Sequence, residues 1–585
     1  MKKKQIKKRL VLLLAALFML TACTKDTTPT TLSTTAEVAE SSRDAASENK
    51  TSFETDDGEV EATRSDDPYG KYTPAIDMHA VASQNTFYIY PDGIDQYNNV
   101  WIDGYRDDLG INLIWDWLAE SDFETKLNVQ IAANTLPDVF YVNSAQFKIL
   151  QQNGQIQDLT SVYEEHVSDL SRRQMEDLDD YGFKTAWIDG KLMALPIINS
   201  SYESCTLLWL RQDWLEALDL PEPKTMQDLI EIAYAFTNDD PDKNGVNDTY
   251  GLAVANDLYN KTGTYVFSLQ GFFNGYHTYP SGWIDDGNGN ITYGTLDDKV
   301  KEPLQVLQQM YSDGVIDPTF GVKDKNTVVE DTTAGRVGIE FGHWWNTDWP
   351  LSMCRANIPE SDWKAYLLPS VDNETARPLM SSLVSEYCVV RTGYEYPEAV
   401  VKMLNYEEDK RFTTDAETYA KYIQQDNPDG SVYEWNRLSF VYTYDANQNP
   451  AMCYNISEAL DTGDTSKLTL EQQSLYTNVR KYMDGEEDNA QGYMDFRRYT
   501  LNDGAYGQLL EYVEGKRPIQ FNEYYLSNSD LMSQRLPALD KMEYEVMTRI
   551  IMGDPISQFD QFVSNWKAQG GDEILKEMNE WYLNN

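Results

Sequence analysis

Histidine and cysteine are scarce in this chain of 585 residues, which holds four of the first and five of the second. His79, His166, His277 and His343 lie far apart, and no His-Glu-x-x-His or Cys-x-x-Cys spacing occurs, so zinc catalysis has no support. Cys23, Cys205, Cys354, Cys388 and Cys453 are too few and too widely spaced to staple a disulfide framework, although one bridge among the last four is open. Positive charge is in deficit as well. With 48 Lys and Arg against 95 Asp and Glu, the formal net charge is -47, which repels a phosphate backbone and excludes nucleic acid as a partner. Long apolar runs are missing: Leu10 to Leu20 is about half of the ~20 residues that a membrane-spanning helix needs. No repeat of solenoid period is present. What remains is 41% hydrophobic and 12% aromatic, enough for substantial cores, in a length that suits two or three domains.

The amino terminus sets the compartment. Lys2, Lys3, Lys4, Lys7, Lys8 and Arg9 precede the short apolar run, which stops at Leu20-Thr21-Ala22-Cys23. That order is a secretory signal over residues 1–22. Its end resembles the lipobox of bacterial lipoproteins, and the resemblance implies cleavage before Cys23 and a diacylglycerol thioether on its sulfur. Two acyl chains at ~0.8 kcal/mol per buried CH₂ hold a protein on a membrane stably, so the expected location is extracytoplasmic and lipid-anchored. Residues 23–67 are rich in Thr, Ser, Ala and Glu and poor in aromatics, and read as a disordered tether with a span on the order of 35–40 Å.

From there the pattern alternates between strands and helices. Strands are expected at Thr86–Tyr90, Ile111–Trp117 and Asp138–Val142. Helices are expected at Val100–Leu109 and from Asp122, where Phe123, Leu127 and Ile131 recur four apart, Asp122 caps and Pro137 stops continuation. This is the sequence pattern of a parallel α/β sheet. Asp189-Gly190 between two short apolar runs predicts a type I′ hairpin. A second α/β region begins with a buried strand at Thr206–Leu210 and a helix opened by Thr225 and Asp228 as a capping box. A helix over Lys301–Ser312 stops at Gly314, and two last helices are split by Gly570-Gly571.

Several short stretches, in order, carry a resemblance. They include Phe123 to Asn128, Leu136-Pro137-Asp138-Val139, Asp189-Gly190-Lys191 with Leu195-Pro196, and Arg211-Gln212-Asp213-Trp214-Leu215. Asp313-Gly314-Val315-Ile316-Asp317-Pro318, Tyr396-Pro397-Glu398-Ala399, Ile550-Ile551-Met552-Gly553 and Gly570-Gly571-Asp572-Glu573-Ile574 continue the series. Together they resemble the bacterial extracellular solute-binding proteins of the sugar-binding type, particularly the long lipoproteins related to alginate-oligosaccharide binders. The resemblance implies an α/β fold of two lobes joined by crossover segments, with an oligosaccharide held in the cleft between them and closure on binding. It also implies a monomer without catalytic activity that hands its sugar to the membrane subunits of an ABC permease. The lobes are expected at 68–205 plus 340–430 and at 206–339 plus 431–585. The acidic balance makes neutral glycans better suited than polyanionic ones unless the cleft is locally basic.

Two constellations carry chemistry. Gly342-His343-Trp344-Trp345-Asn346-Thr347-Asp348-Trp349 packs three tryptophans into a polar, non-periodic segment. Indole faces stack on the apolar face of a pyranose while amides bond its hydroxyls, so Trp344, Trp345, Asn346 and Trp349 are candidate ligand contacts. Asn143, Tyr202 and Glu203 follow strand ends at the expected cleft rim, and Trp283 is a weaker candidate in another loop. The second is Asp240-Pro241-Asp242-Lys243-Asn244-Gly245-Val246-Asn247-Asp248. Oxygens from Asp240, Asp242, Asn244, the Val246 carbonyl and Asp248, with Gly245 at the sharp turn, reproduce most of an EF-hand-type loop for a structural Ca²⁺. Position 12 is Gly251, where the EF-hand has a bidentate Glu, so water or the Thr249 region must complete the shell. Two other classes remain open. A surface glycan-binding lipoprotein would bind polymer without transport, and a secreted glycoside hydrolase would need two carboxylates roughly 5 to 10 Å apart.

Overall fold

The computed structural model describes residues 62–84, 90–119, 122–176, 180–198, 200–261, 266–381, 384–426, 432–442, 447–486, 490–524 and 528–583. The signal segment, Cys23 and most of the tether lie outside these, as does most of the strand expected at Thr86–Tyr90.

The first described strand is instead β1, Ile76–Ser83, where Ile76, Met78 and Ala80 point inward and Asp77 and His79 outward. β2 (Ile111–Ala119) and β3 (Val139–Val142) run parallel to it on either side. β4 (Leu195–Ile198) then closes the first run of strands, and β5 (Leu207–Arg211), β6 (Tyr250–Leu252), β7 (Val337–Gly342) and β8 (Trp363–Tyr366) follow. β9 (Val384–Val390) is the last long strand. One sheet has the order β2-β1-β3-β9-β4, with β9 antiparallel to both neighbours; the other has the order β8-β5-β7-β6. In the second, β5 is antiparallel to β7 and β8, and β6 is parallel to β7. Each sheet is the centre of one lobe of a two-lobe α/β fold.

β3 and β5 are buried on both faces, which is why Val139–Val142 and Leu207–Leu210 read as unbroken apolar runs. Alternation along β5 sends Leu208 and Leu210 into one core, with the helices at 226–238, 301–312 and 530–582, and Leu207 and Trp209 into another, with the helices at 448–462 and 505–513. The chain passes between the sheets after β4, after β8 and after Val441. β8, inside the stretch 340–430 expected in the first lobe, is hydrogen-bonded in the second sheet. Trp435, Leu438, Phe440 and Val441, inside the stretch expected in the second, pack in the core of the first.

Local chemistry sets several elements as expected. Asp189 (φ 50°) and Gly190 (φ 75°) are both left-handed, as a type I′ hairpin requires. Thr225 and Asp228 close a reciprocal capping box on the helix Met226–Asn238. Asp122 differs: it is left-handed and makes no side-chain cap bond to the helix Phe123–Ala133. Cys205, Cys354, Cys388 and Cys453 are buried free thiols. Among the described residues no helix is long and apolar enough to cross a membrane.

Candidate functional site

In open α/β sheets, ligands bind beyond the carboxyl ends of the strands, and here those ends lead into the crossover segments. The crossover after β4 forms a short 3₁₀ turn, Ser201–Ser204, and the segment after β7 forms another, Trp344–Thr347. Both turns meet at Glu203. Its carboxylate accepts hydrogen bonds from Asn449 Nδ2 at 2.7 Å, from the Tyr506 hydroxyl at 3.1 Å and from the Trp344 indole. Burial raises the pKa of Glu203, and those three donors oppose it. Asn449 accepts in turn from the Tyr499 hydroxyl at 3.0 Å.

Trp344 is 9% exposed, its ring 5.2 Å from that of Tyr506 at 86° and 6.1 Å from that of Tyr499. Trp345, Trp349 and Tyr202 are half-buried against the same core, and Lys325 Nζ stands 5.8 Å over the Trp349 ring. Asn346 is fully buried: its Nδ2 donates to Glu340 Oε1 at 2.7 Å, and its Oδ1 accepts from the His343 amide at 3.0 Å. Five of the eight expected contacts, Tyr202, Glu203, Trp344, Trp345 and Trp349, therefore share one cluster with Asn346 at its edge. Asn143 sits at the end of β3 in the other lobe, where it caps the helix Ser144–Gln152. The Trp283 indole is buried against Tyr293 and Tyr524 in the core around the carboxyl-terminal helices, while its amide donates to Asn522 Oδ1 at 2.9 Å, a residue that also bonds Ser381 in the crossover after β8.

The first lobe contributes aromatics that the sequence reading passed over. Trp115 and Trp117 on β2 are both half-buried, and a bulge between them turns them to opposite faces: Trp115 lies 5.5 Å from Phe440, and Trp117 5.5 Å from Phe123 with Lys126 Nζ 5.7 Å over its ring. Near the end of β3, Tyr141 lies 5.7 Å from Tyr442, whose hydroxyl donates to Glu386 Oε2 at 3.4 Å. Two tryptophans inside the strand expected at Ile111–Trp117 were the available signal.

Three arginines near the crossovers are committed to acids. Arg498 pairs with Asp348 and Asp495, Arg437 with Glu434 at 3.0 Å, and Arg411 with Glu407. Burial raises the pKa of Asp348, Arg498 opposes this, and the Glu434 carboxylate adds to it.

The loop after Asn238 has the turn that a cation-binding loop needs. Asp240 and Lys243 are left-handed, as is Gly245 at φ 78°, and Asp240 accepts from the Asn244 amide at 3.1 Å and the Gly245 amide at 3.0 Å. Asn244 Nδ2 stands between Asp242 Oδ2 at 2.7 Å and Asp248 Oδ1 at 3.1 Å. Burial raises the pKa of Asp242, and the carboxylates of Asp248 and Asp240 add to it. Thr249 turns away, its hydroxyl donating to the Phe236 carbonyl at 2.8 Å. Among the described residues no group of three His, Cys, Asp or Glu side chains closes on a metal position by itself. The loop's donor set mixes carboxylates with an amide and a main-chain carbonyl.

Residues 68–406 match the family described as bacterial extracellular solute-binding protein. The chain is 27% identical over 230 residues to the polygalacturonan/rhamnogalacturonan-binding protein YtcQ of Bacillus subtilis strain 168, a match spanning 39% of this chain and 43% of that protein. It is 21% identical over 481 residues to lipoprotein LipO of the same organism, covering 80% of this chain and 85% of LipO. Among solved structures, a solute-binding protein of Bifidobacterium longum infantis described as HMO-binding and ABC-transporter-associated superposes with a TM-score of 0.59 at 13% identity, over 87% of this chain and 98% of that one. The alginate-binding protein AlgQ2 without calcium ion gives 0.54 at 14%, over 87% and 98%. An EF-hand mutant of the Streptococcus pneumoniae substrate-binding protein FusA gives 0.57 at 14%, over 87% and 99%. At these identities the structures establish the fold.

Proposed function

We propose, for a chain that belongs to the bacterial extracellular solute-binding proteins, that it captures an oligosaccharide between its two lobes and delivers it to an ABC permease. The observation that carries this reading is the aromatic turn after β7, which meets the crossover after β4 at Glu203. Relatives support the sugar: YtcQ is named for polygalacturonan and rhamnogalacturonan, and FusA for fructooligosaccharide. Trp345, Trp349 and Tyr202 are the stacking contacts, Asn143 and Trp117 flank them from the first lobe, and Trp344, Glu203 and Asn346 support them from beneath. Family members are binding proteins, and this chain acts by binding alone, as a monomer.

A neutral oligosaccharide is favoured. Arg498, Arg437 and Arg411 are each held by an acid, and a chain with a net charge of -47 gains nothing from drawing in a polyanion. Lipid attachment at Cys23 is supported by Leu20-Thr21-Ala22-Cys23 and by the relative named as a lipoprotein. Calcium is held by Asp240, Asp242, Asn244, the Val246 carbonyl and Asp248, where Asn244 Nδ2 bridging two carboxylates marks the place of positive charge. The metal would neutralise the loop and pin its turn.

The deciding experiment is a calorimetric titration of the full chain with kestose and with an oligogalacturonide. Micromolar or tighter binding, about -8 kcal/mol, of the neutral sugar and none of the acidic one is expected. Binding of neither, nor of any other short oligosaccharide, overturns the reading.

A further inference from the structure

Glu340 lies in the middle of β7, its side chain on the same side of the sheet as Trp209, its partner across β5. Its exposure is 0%. One oxygen takes the 2.7 Å bond from Asn346 Nδ2, while Oε2 is fully buried with no hydrogen-bond partner. A carboxylate in such a place is costly unless it earns a specific geometry, since burying an unpaired charge costs several kcal/mol. What Glu340 touches is the clue. Asn346 also caps the His343 amide, and there is no room beneath it: a Cβ on Gly342 would meet Asn346 Nδ2 at 1.8 Å. At other points of the same turn Glu203 bonds the Trp344 indole, its backbone bonds the His343 ring, and the Trp209 indole donates to the His343 carbonyl at 3.0 Å.

We propose that Glu340 and Glu203 are positioning residues that clamp the turn His343–Thr347 from two sides and so set the aromatic platform for sugar. The proposal rests on that turn meeting the sugar.

The clamp has a pH dependence that a simple packing role lacks. Burial pushes the Glu340 carboxyl up to about 8, with the Asn346 bond opposing, so it is a neutral acid at pH 7. No charged side chain acts on it. The titratable groups of the surrounding core are His343, which burial holds down at about 4 and therefore neutral, Glu203, the thiols of Cys205, Cys354 and Cys453, and Tyr499, Tyr506 and Tyr512. The folded state holds the Glu340 proton more tightly than the unfolded chain, whose carboxyl titrates near 4.5. Stability from this group is full below about 4.5, declines as pH rises towards about 8, and is level above. Above about 8 a buried charge sits under the turn and loosens it.

Tryptophan emission of the full chain is followed from pH 6 to 9, without sugar, in wild type, Glu340→Gln and Trp344→Phe. A transition near pH 8 in wild type, absent in Glu340→Gln and reduced in Trp344→Phe, is expected. Identical profiles in wild type and Glu340→Gln overturn the proposal. In parallel, kestose and an oligogalacturonide are titrated against wild type, Glu340→Gln and Glu340→Leu, with melting curves to establish that each is folded. The isosteric amide keeps the Asn346 bond by accepting it on its Oε1, and binding within about threefold of wild type is expected, against a loss on the order of tenfold in Glu340→Leu. Equal affinity in Glu340→Leu and wild type overturns the clamp. If wild type binds neither sugar, nor any other short oligosaccharide, the sugar-binding reading of the site fails, and the emission titration still decides for or against Glu340.

Discussion

At the scale of single residues, burial separates tryptophans that look alike in sequence. Trp344 is locked between Tyr499, Tyr506 and Glu203, whereas Trp345 and Trp349 keep part of their faces outside the core. Trp345→Ala is therefore expected to lower sugar affinity about 30-fold, the effect of truncating an aromatic anchor, with little change in melting temperature. Trp344→Ala is expected to cost about 3–5 kcal/mol of folding stability because it opens a cavity. Paired denaturant melts and calorimetry check both; equal effects at the two positions would refute the division of roles. Sequence could mark the cluster because three indoles in a polar stretch have no periodicity to explain them. It could not rank them, because the partners Tyr499 and Tyr506 lie about 150 residues downstream.

At the scale of elements, two turns decide stability. Gly570 joins the last two helices at φ 119°, and a Cβ there would lie 3.0 Å from Arg535 Cδ. Gly570→Ala is expected to cost about 1–3 kcal/mol, measured as a shift in denaturation midpoint without loss of sugar binding. The loop at Asp240–Asp248 gathers three carboxylates whose repulsion, added to burial, raises the Asp242 pKa. A cation relieves that repulsion, so millimolar calcium is expected to raise the melting temperature of chelator-treated protein by mass action, and Asp240→Ala to abolish the shift. Because Asp242 holds its proton to a higher pH than usual, the calcium shift should weaken as pH falls into the acid range, where protons compete with the metal. A melting temperature indifferent to calcium at pH 7 would count against the site.

At the scale of the whole molecule, the lobes share three crossings, and Glu203 ties the first to Asn449 just beyond the third. A sugar that touches both lobes favours the closed form only by its difference in affinity for the two states. Small-angle scattering with saturating sugar is expected to show a smaller radius of gyration than without; superposable profiles would refute closure. Cys23→Ser is expected to move the protein from the membrane fraction to the soluble one, and retention in the pellet would refute the anchor.

Sequence by itself determined the alternation of strands and helices, the Asp189-Gly190 hairpin, the capping box at Thr225, the calcium-type spacing and the family pattern. All of these are written in neighbouring residues and short periods. Only the tertiary structure decided that β8 belongs to the second sheet, that the Trp283 indole is buried, and that Glu203 and Asn346 turn inward. It also decided that Glu340, one acid among 95 Asp and Glu, sits buried beneath the aromatic turn. The reason is physical: strand partners and burial are set by contacts between segments far apart in the chain, and a carboxylate's charge depends on which of those segments shut out water.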